Sequence, residues 1–153
     1  MRDGTLALIQ RYFEAFNAGN TEAMLACLAT DVEHHVNEGQ IRVGKIKFAE
    51  FCAHMTHCYR EELTDMVVFA SEDGARGAAE YIVNGTYIAT DSGLPEANGQ
   101  TYRLPAGSFF SVQDGQFLPK QLFVGELTSP EVFHKMTMEL VDYRLAEYRT
   151  RRM

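Results

Sequence analysis

The apolar residues of this chain keep a helical spacing through most of the first 62 positions and change to an extended pattern after Thr64. Before that point, the spacing predicts helices over residues 5–18, 21–29 and 45–62. Gly19 is expected to end the first helix in a left-handed conformation. The third helix carries an apolar stripe made of Phe48, Phe51, Cys52, Met55 and Tyr59.

Extended segments are predicted where Val, Ile, Phe and Tyr are frequent and turn-forming residues intervene. They cover residues 32–37, 40–43, 66–70, 78–89, 102–112 and 116–127. Glycine follows aspartate at Asp73 and Asp114, which favours tight turns, so the last four segments are expected to form an antiparallel meander. Pro105 cannot donate to a neighbouring strand and is expected at an edge or a bulge. Ser129-Pro130 predicts the start of a final helix.

These elements predict one α+β domain over residues 1–153, in which N-terminal helices pack on a strongly curved, mostly antiparallel sheet. Residues 129–153 are expected to form a C-terminal helical extension. The net charge of -7 repels phosphate and anionic lipid, so neither nucleic acid nor a membrane is an expected partner. The N-terminal residues lack the contiguous apolar core of a signal peptide, and three separated cysteines suit a reducing cytoplasm.

Local motifs carry a resemblance to known proteins. Gln10-Arg11-Tyr12 and Asn17-Ala18-Gly19 resemble the first helix of bacterial steroid delta-isomerases. The string from Thr90 to Pro95, followed by Leu104-Pro105-Ala106-Gly107, resembles the ketosteroid-isomerase-related, SnoaL-like subgroup of the nuclear transport factor 2-like superfamily. The similarity covers residues 6–115 and implies the cone-shaped fold of that superfamily.

The true isomerases use a tyrosine on the first helix as oxyanion donor, an aspartate on the first strand as base, and a protonated aspartate as second donor. The resemblance implies the first role for Tyr12. The base falls at His35 or Val36, and the second acid at Gly107, which has no side chain to donate. Because losing one donor typically costs about a hundredfold or more in rate, the resemblance argues against efficient steroid isomerisation.

The residues themselves single out Tyr12. On the helical wheel it falls between Leu8 and Phe16, so its phenol is expected to point into the core. A buried hydroxyl needs a partner, which can be a ligand carbonyl or a group of the protein itself. The sequence leaves both readings open.

Two adjacent histidines and an asparagine form the densest polar cluster of the first strand. Because side chains alternate along a strand, only one of His34 and His35 can face inwards, and apolar neighbours favour His34. A neutral imidazole can take a proton from a carbon next to a carbonyl, although a hydrogen-bonded core or rim histidine is the simpler alternative. Asn37 can orient a ligand at the pocket mouth or simply form a turn.

Further residues are expected to line a ligand pocket, with plain core packing as the alternative. They are Phe16, Phe51, Met55, Tyr59, Gly107 and Phe109. His54, His57 and Cys58 share the third helix, but no acid or third inward ligand accompanies them in the sequence, so no metal site is expected. No glycine-rich phosphate loop or paired-cysteine motif is present, so any catalysis is expected to need no cofactor.

The sequence therefore predicts a homodimer, paired through the strands from Ala78 onwards, that binds a small, largely apolar carbonyl compound. Tyr12 would polarise the carbonyl and His34 would move a proton, as in an isomerase. Two alternatives stay open: a ligand-binding or assembly module without turnover, and a polyketide-cyclase-like or dehydratase activity.

Overall fold

The computed structural model describes residues 1–36, 41–117 and 122–125, and the predicted C-terminal helix lies outside them. The helices are α1 (Arg2–Asn17), α2 (Thr21–Ala26) and α3 (Lys45–Cys58). The strands are β1 (Glu33–Val36), β2 (Ile41–Val43), β3 (Tyr59–Ala70), β4 (Arg76–Tyr87), β5 (Thr101–Gln113), β6 (Gln116–Phe117) and β7 (Leu122–Gly125). Among the described residues, no helix combines the length and apolar character that crossing a membrane requires.

The sheet confirms the predicted α+β fold. Its strand order is β2-β1-β7-β5-β4-β3, with β6 also paired to β5. Strands β3, β4 and β5 form the predicted antiparallel meander. The last predicted segment is broken into β6 and β7, both antiparallel to β5, and β7 adds a parallel pairing to β1.

The junction between α3 and β3 differs from the sequence prediction. The helix ends at Cys58 instead of residue 62, and Tyr59 already has extended dihedral angles, φ -134° and ψ 144°. From Tyr59 onwards the backbone pairs with β4, beginning opposite Tyr87. Pairing with a distant strand therefore overrides the local helical pattern in the four residues that follow Cys58.

The end of α1 is held at two points. Gly19 has φ +68°, as expected for a helix stop, and its amide donates to the carbonyl of Phe16 over 3.0 Å. The side-chain amide of Asn17 donates to the carbonyl of Leu63 over 3.0 Å, and the amide of Leu63 donates to Asn17 Oδ1 over 2.9 Å. Because β3 lies at the edge of the sheet among the described strands, this pair of bonds covers that edge at Leu63 and fixes α1 beside it.

The sheet is bent by a bulge in β3. Its register with β4 shifts between Thr64 and Val67, and Asp65 has φ +56°. Pro105 pairs with Ile82 of β4 and lies beyond residues 107–109, where the described part of β7 pairs with β5. Its missing amide hydrogen therefore costs no bond to β7.

The main core packs between α1 and the inner face of the sheet. Its most completely buried large side chains, each at most 1% exposed, are Leu8, Ile9, Leu28, Val32, Phe48, Phe110 and Phe117. The rings of Phe110 and Phe117 stack with centroids 4.5 Å apart. A second cluster of Cys58, Tyr59, Tyr87, Tyr102 and Leu104 packs at the other end of β4.

Gly85 supports this second cluster by being small. A Cβ placed on it would lie 2.1 Å from Cζ of Tyr102, whose side chain is only 4% exposed. We expect Gly85→Ala to lower the free energy of unfolding by about 1–3 kcal/mol, because the buried ring has little space to move. Urea denaturation measures this change.

Gly4→Ala is the matched control, since a Cβ at Gly4 in α1 meets nothing within 4 Å. It should leave stability unchanged or slightly raised. Equal stability of the Gly85 variant and the wild type would contradict the proposed contact.

Candidate functional site

A cavity of about 630 Å³ lies between α1, α3 and the inner face of the sheet. This volume is within the roughly 300–1,000 Å³ that small-molecule sites occupy. Its apolar wall includes Phe13, Phe16, Met24, Phe48, Phe51, Met55, Leu63, Val83, Leu104 and Ala106. Its polar wall includes Tyr12, Asn17, Thr21, His34, Cys52, Thr56, Tyr59, Arg60, Glu61 and Tyr81.

The cavity has a buried end and an exposed end. Tyr12, His34 and Tyr81 are each at most 6% exposed and mark its deep end. Asn17 and Arg60 are exposed although they also line the cavity, so they mark its mouth. A ligand would therefore enter beside the end of α1 and the start of β3.

Tyr12 is held in the deep end by aromatic rings. Ring centroids lie 5.0–6.4 Å from its own, in Phe13, Phe48, Phe110 and Phe117. Burial raises the pKa of Tyr12 well above its ordinary value of 10.0, and the neighbouring thiol of Cys52 raises it further. Within the described part of the chain, no hydrogen bond involves its hydroxyl. Tyr12 is therefore a neutral phenol in the wall of the cavity.

His34 lines the same cavity from β1 and is 2% exposed. Its ring packs edge-on against Phe48 and Phe51, with centroids 4.8 Å away in each case. Phe48 also contacts Tyr12, with ring centroids 6.4 Å apart, so one phenylalanine borders both polar groups. Because a charge buried among apolar rings is costly, these surroundings favour the neutral imidazole.

Cys52 contributes a thiol to the cavity wall. Burial raises the pKa of Cys52 to about 11, so the thiol is protonated at neutral pH. This argues against Cys52 as a nucleophile in the cavity.

Four of the other predicted site residues lie in the cavity wall, and two fall partly or wholly outside the described residues. Phe16, Phe51, Met55 and Tyr59 lie in the wall. The backbone of His35 belongs to β1 and pairs with Ile41, its side chain lies outside the described residues, and Asn37 lies wholly outside them.

The prediction that Gly107 and Phe109 line the pocket is wrong, because neither residue lines this cavity. Phe109 is 48% exposed, whereas its neighbours Ser108 and Phe110 are buried, so the side chain of Phe109 faces outwards. The sequence could not decide this alternation because Phe109 and Phe110 are adjacent aromatics. A hydrogen bond of 2.6 Å between Tyr81 and Ser108 accompanies the observed alternation.

Glu61 is a carboxyl group of the cavity wall that sequence reasoning missed. It accepts a hydrogen bond from the hydroxyl of Tyr102. The predicted helix ran past this position, so alternation along a strand was not applied to it. The signal was present in the sequence, since Tyr59, Glu61 and Leu63 follow a period of two.

A polar cluster lies next to the cavity. His54 Nε2 is 2.9 Å from Asp91 Oδ1, and the hydroxyl of Tyr59 donates to Asp91 Oδ2 over 2.6 Å. One ligand atom each of His54, Cys58 and Asp91 lies within 4.8 Å of the others. The expectation that no acid accompanies His54 and Cys58 is therefore wrong, because Asp91 comes from a loop far along the chain.

Comparison with known proteins identifies a matching family and similar solved structures. Residues 9–118 match the model of a SnoaL-like domain. A candidate polyketide cyclase from Silicibacter sp. TM1040 is 65% identical, with a TM-score of 0.74 over 80% of this chain and 87% of that one. Another from Xanthomonas campestris pv. campestris is 50% identical, with a TM-score of 0.75 over 80% of this chain and 88% of that one.

A more distant structure shows the fold alone. An LEH-like epoxide hydrolase from M. tuberculosis is 12% identical, with a TM-score of 0.69 over 97% of this chain and 92% of that one. No protein of curated function matches the sequence. Because the family model covers well over half of the chain, the protein belongs to the SnoaL-like domain family of the nuclear transport factor 2-like superfamily.

Proposed function

We propose that the cavity binds a small, largely apolar carbonyl compound and promotes proton transfer on it without a cofactor. The observation that carries this proposal is that Tyr12 and His34 are both buried and both line one largely apolar cavity. The apolar wall would take up the carbon skeleton of the ligand. The two polar groups would then act on a carbonyl and on the carbon beside it.

Tyr12 acts as the donor to the carbonyl oxygen. Its raised pKa keeps the hydroxyl hydrogen in place at all physiological pH values. A neutral donor in an apolar site stabilises the negative charge that develops on oxygen when an enolate forms.

His34 acts as the base. Its neutral imidazole takes a proton from the carbon next to the carbonyl, which leaves an enolate and an imidazolium. The enolate carbon can then bond to a second carbonyl carbon of the same molecule, and the new alkoxide takes the proton back. This closes a ring by an aldol reaction with no net oxidation or reduction. If the proton returns instead to another carbon of the enolate system, the product is an isomer.

The comparisons favour the ring-closing outcome. The candidate polyketide cyclases are 50% and 65% identical to this chain over 80% of its length. Polyketides carry several carbonyl groups in one molecule, which is the chemistry that an intramolecular aldol reaction needs. The isomerase outcome has less support, because the position aligned with the second oxyanion donor is a glycine outside the cavity wall.

Substitutions at the two polar groups test this chemistry. Polycarbonyl compounds, quinones and steroids are screened for turnover, and the active ones are repeated with Tyr12→Phe and His34→Ala. We expect Tyr12→Phe to lower the turnover rate about a hundredfold or more and His34→Ala by about 10²–10⁴-fold. His57→Ala is the control, since His57 is exposed and outside the cavity wall. Unchanged turnover in both cavity variants would refute the assigned roles.

A ligand-binding module without turnover is the second candidate. The observation that favours it is again the glycine at the aligned second-donor position. In that case the same compounds would stabilise the protein, by about 2.7 kcal/mol at a hundred times the dissociation constant, and yield no product on long incubation. Product that depends on Tyr12 would exclude this candidate.

The protonation state of Tyr12 gives a separate pH prediction. In the unfolded chain the pKa of Tyr12 is about 10, so its hydroxyl loses the proton above pH 10. In the folded protein the pKa is raised, so the hydroxyl keeps the proton. The free energy of unfolding therefore falls as pH rises from about 10 towards the folded pKa, by up to about 1.4 kcal/mol per pH unit. Tyr12→Phe should lack this part of the slope in urea denaturation between about pH 9 and 11. Equal slopes for the two proteins would contradict a buried, protonated Tyr12.

We also propose that two copies pair through the outer face of the sheet. Phe69 and Phe109 are 49% and 48% exposed and lie in register across Ala78, so they form an apolar row on that face. Exposed apolar patches of this kind are typical of interfaces.

Light scattering tests the dimer. We expect twice the chain mass of 17.2 kDa for the wild type and the single mass for Phe109→Lys. Ile46→Lys is the matched control, because Ile46 is an exposed apolar residue of α3 outside the row of Phe69 and Phe109 and should leave the dimer intact. A monomeric wild type would refute the proposal.

A further inference from the structure

We propose that His54, Cys58 and Asp91 form a binding site for a divalent transition metal ion of the zinc type, separate from the chemistry at Tyr12 and His34. The three residues offer a nitrogen, a sulfur and an oxygen, which are the donor atoms that zinc takes from proteins. One such atom of each lies within 4.8 Å of the others. Donor atoms around a tetrahedral zinc ion lie roughly 3.4–3.6 Å apart, so atoms at the 4.8 Å limit would approach each other by about 1 Å on binding.

The helix brings the first two ligands together. His54 and Cys58 are four residues apart in α3, so their side chains lie on one face, one turn from each other. The neighbouring histidine, His57, is exposed and takes no part in the cluster. Of the two histidines in this turn, only His54 therefore lies close to both Cys58 and Asp91.

The loop between β4 and β5 brings the third ligand and is fixed in place. The amides of Ile88 and Ala89 donate to the carbonyl of Cys58 over 2.8 and 3.2 Å, which joins the start of the loop to the end of α3. The amide of Asp91 donates to the hydroxyl of Tyr87 over 2.8 Å, and that hydroxyl donates to the carbonyl of Pro95 over 2.7 Å. Asp91 is thus held by groups on both sides of it along the chain.

Tyr59 orients the carboxylate of Asp91. Its hydroxyl donates to Oδ2, which leaves Oδ1 directed towards His54. Carboxylates that bind metals commonly accept such an outer hydrogen bond, and removing it weakens binding about 10–100-fold. An ion between Oδ1 and Nε2 would need these atoms roughly half an ångström further apart than their present 2.9 Å, given bonds of about 2.0–2.2 Å in a tetrahedral site.

Charge and ligand type select the class of ion. A thiolate and a carboxylate would balance the two positive charges of the ion. The ion would thereby offset the free-energy cost of a thiolate at the buried Cys58. Mg²⁺ and Ca²⁺ prefer sites made of oxygen atoms, so the sulfur and nitrogen favour Zn²⁺. The side chain of His54 is 51% exposed, which gives water access to the fourth position.

The test is metal binding by the untagged full chain after removal of metals with a chelator. We expect equilibrium dialysis to give one Zn²⁺ per chain and Co²⁺ to give the thiolate-to-metal charge-transfer band in the near ultraviolet. Cys58→Ser and Asp91→Asn should abolish stoichiometric binding. Tyr59→Phe, which removes only the outer hydroxyl, should weaken binding about tenfold or more.

Two matched controls separate this site from adventitious binding. His57→Ala removes a histidine from the same turn of α3, and Cys52→Ser removes a thiol from the same helix, so both should bind one Zn²⁺ as the wild type does. Circular dichroism reports whether each variant folds. If Cys58→Ser fails to fold, His54→Ala decides, because that side chain is half exposed. Wild-type protein that binds no more Zn²⁺ than Asp91→Asn, or Co²⁺ without the thiolate band, would overturn the proposal.

Discussion

The antiparallel ladder between β3 and β4 determines where the functional side chains lie. It begins at Tyr59 and Tyr87, which ends α3 at Cys58 and turns Tyr59, Glu61 and Leu63 towards the cavity. The bulge between Thr64 and Val67 then inserts one residue and reverses the alternation. As a result Phe69 lies on the outer face of the sheet, where it is 49% exposed, instead of in the core. One backbone pairing thus sets the cavity wall, the position of the metal-ligand candidates and the outer apolar row.

Local periodicity was sufficient for part of the site. Tyr12 follows from the helical wheel of α1, and His34 from alternation in β1, because both residues lie within elements whose type the sequence predicted correctly. Their inward direction does not depend on where either element ends. Both side chains are buried against the ring of Phe48, so α1 and β1 converge on one residue of α3. No local pattern in the sequence could predict this convergence.

The errors have a common cause in contacts between distant parts of the chain. The helical pattern through residue 62 hid Glu61, because the pairing partner that extends this segment is more than 20 residues away in β4. The alternation at Phe109 depends on Phe110 stacking on Phe117 and on the bond between Tyr81 and Ser108. Asp91 was missed as a neighbour of His54 for the same reason, since only the folded loop brings it to α3.

The size of the cavity restricts what can occupy it. Interiors of proteins contain few voids larger than a water molecule, and an unfilled void costs roughly 24 cal/mol per Å³. At about 630 Å³, a dry, empty cavity would cost roughly 15 kcal/mol, as much as the whole stability of a typical domain. The cavity must therefore hold water, which its exposed mouth at Asn17 and Arg60 can admit, or a ligand.

Water is a poor occupant of most of this space. The deep end offers it Tyr12, His34 and Tyr81 as polar partners, but the rest of the wall there is largely aromatic and aliphatic. Displacing poorly bound water by an apolar skeleton gains free energy, provided that the ligand replaces the hydrogen bonds at the few polar groups. A molecule that is mostly hydrocarbon with a carbonyl placed against Tyr12 meets both conditions. The free-energy cost of an empty cavity therefore supports the class of ligand proposed above.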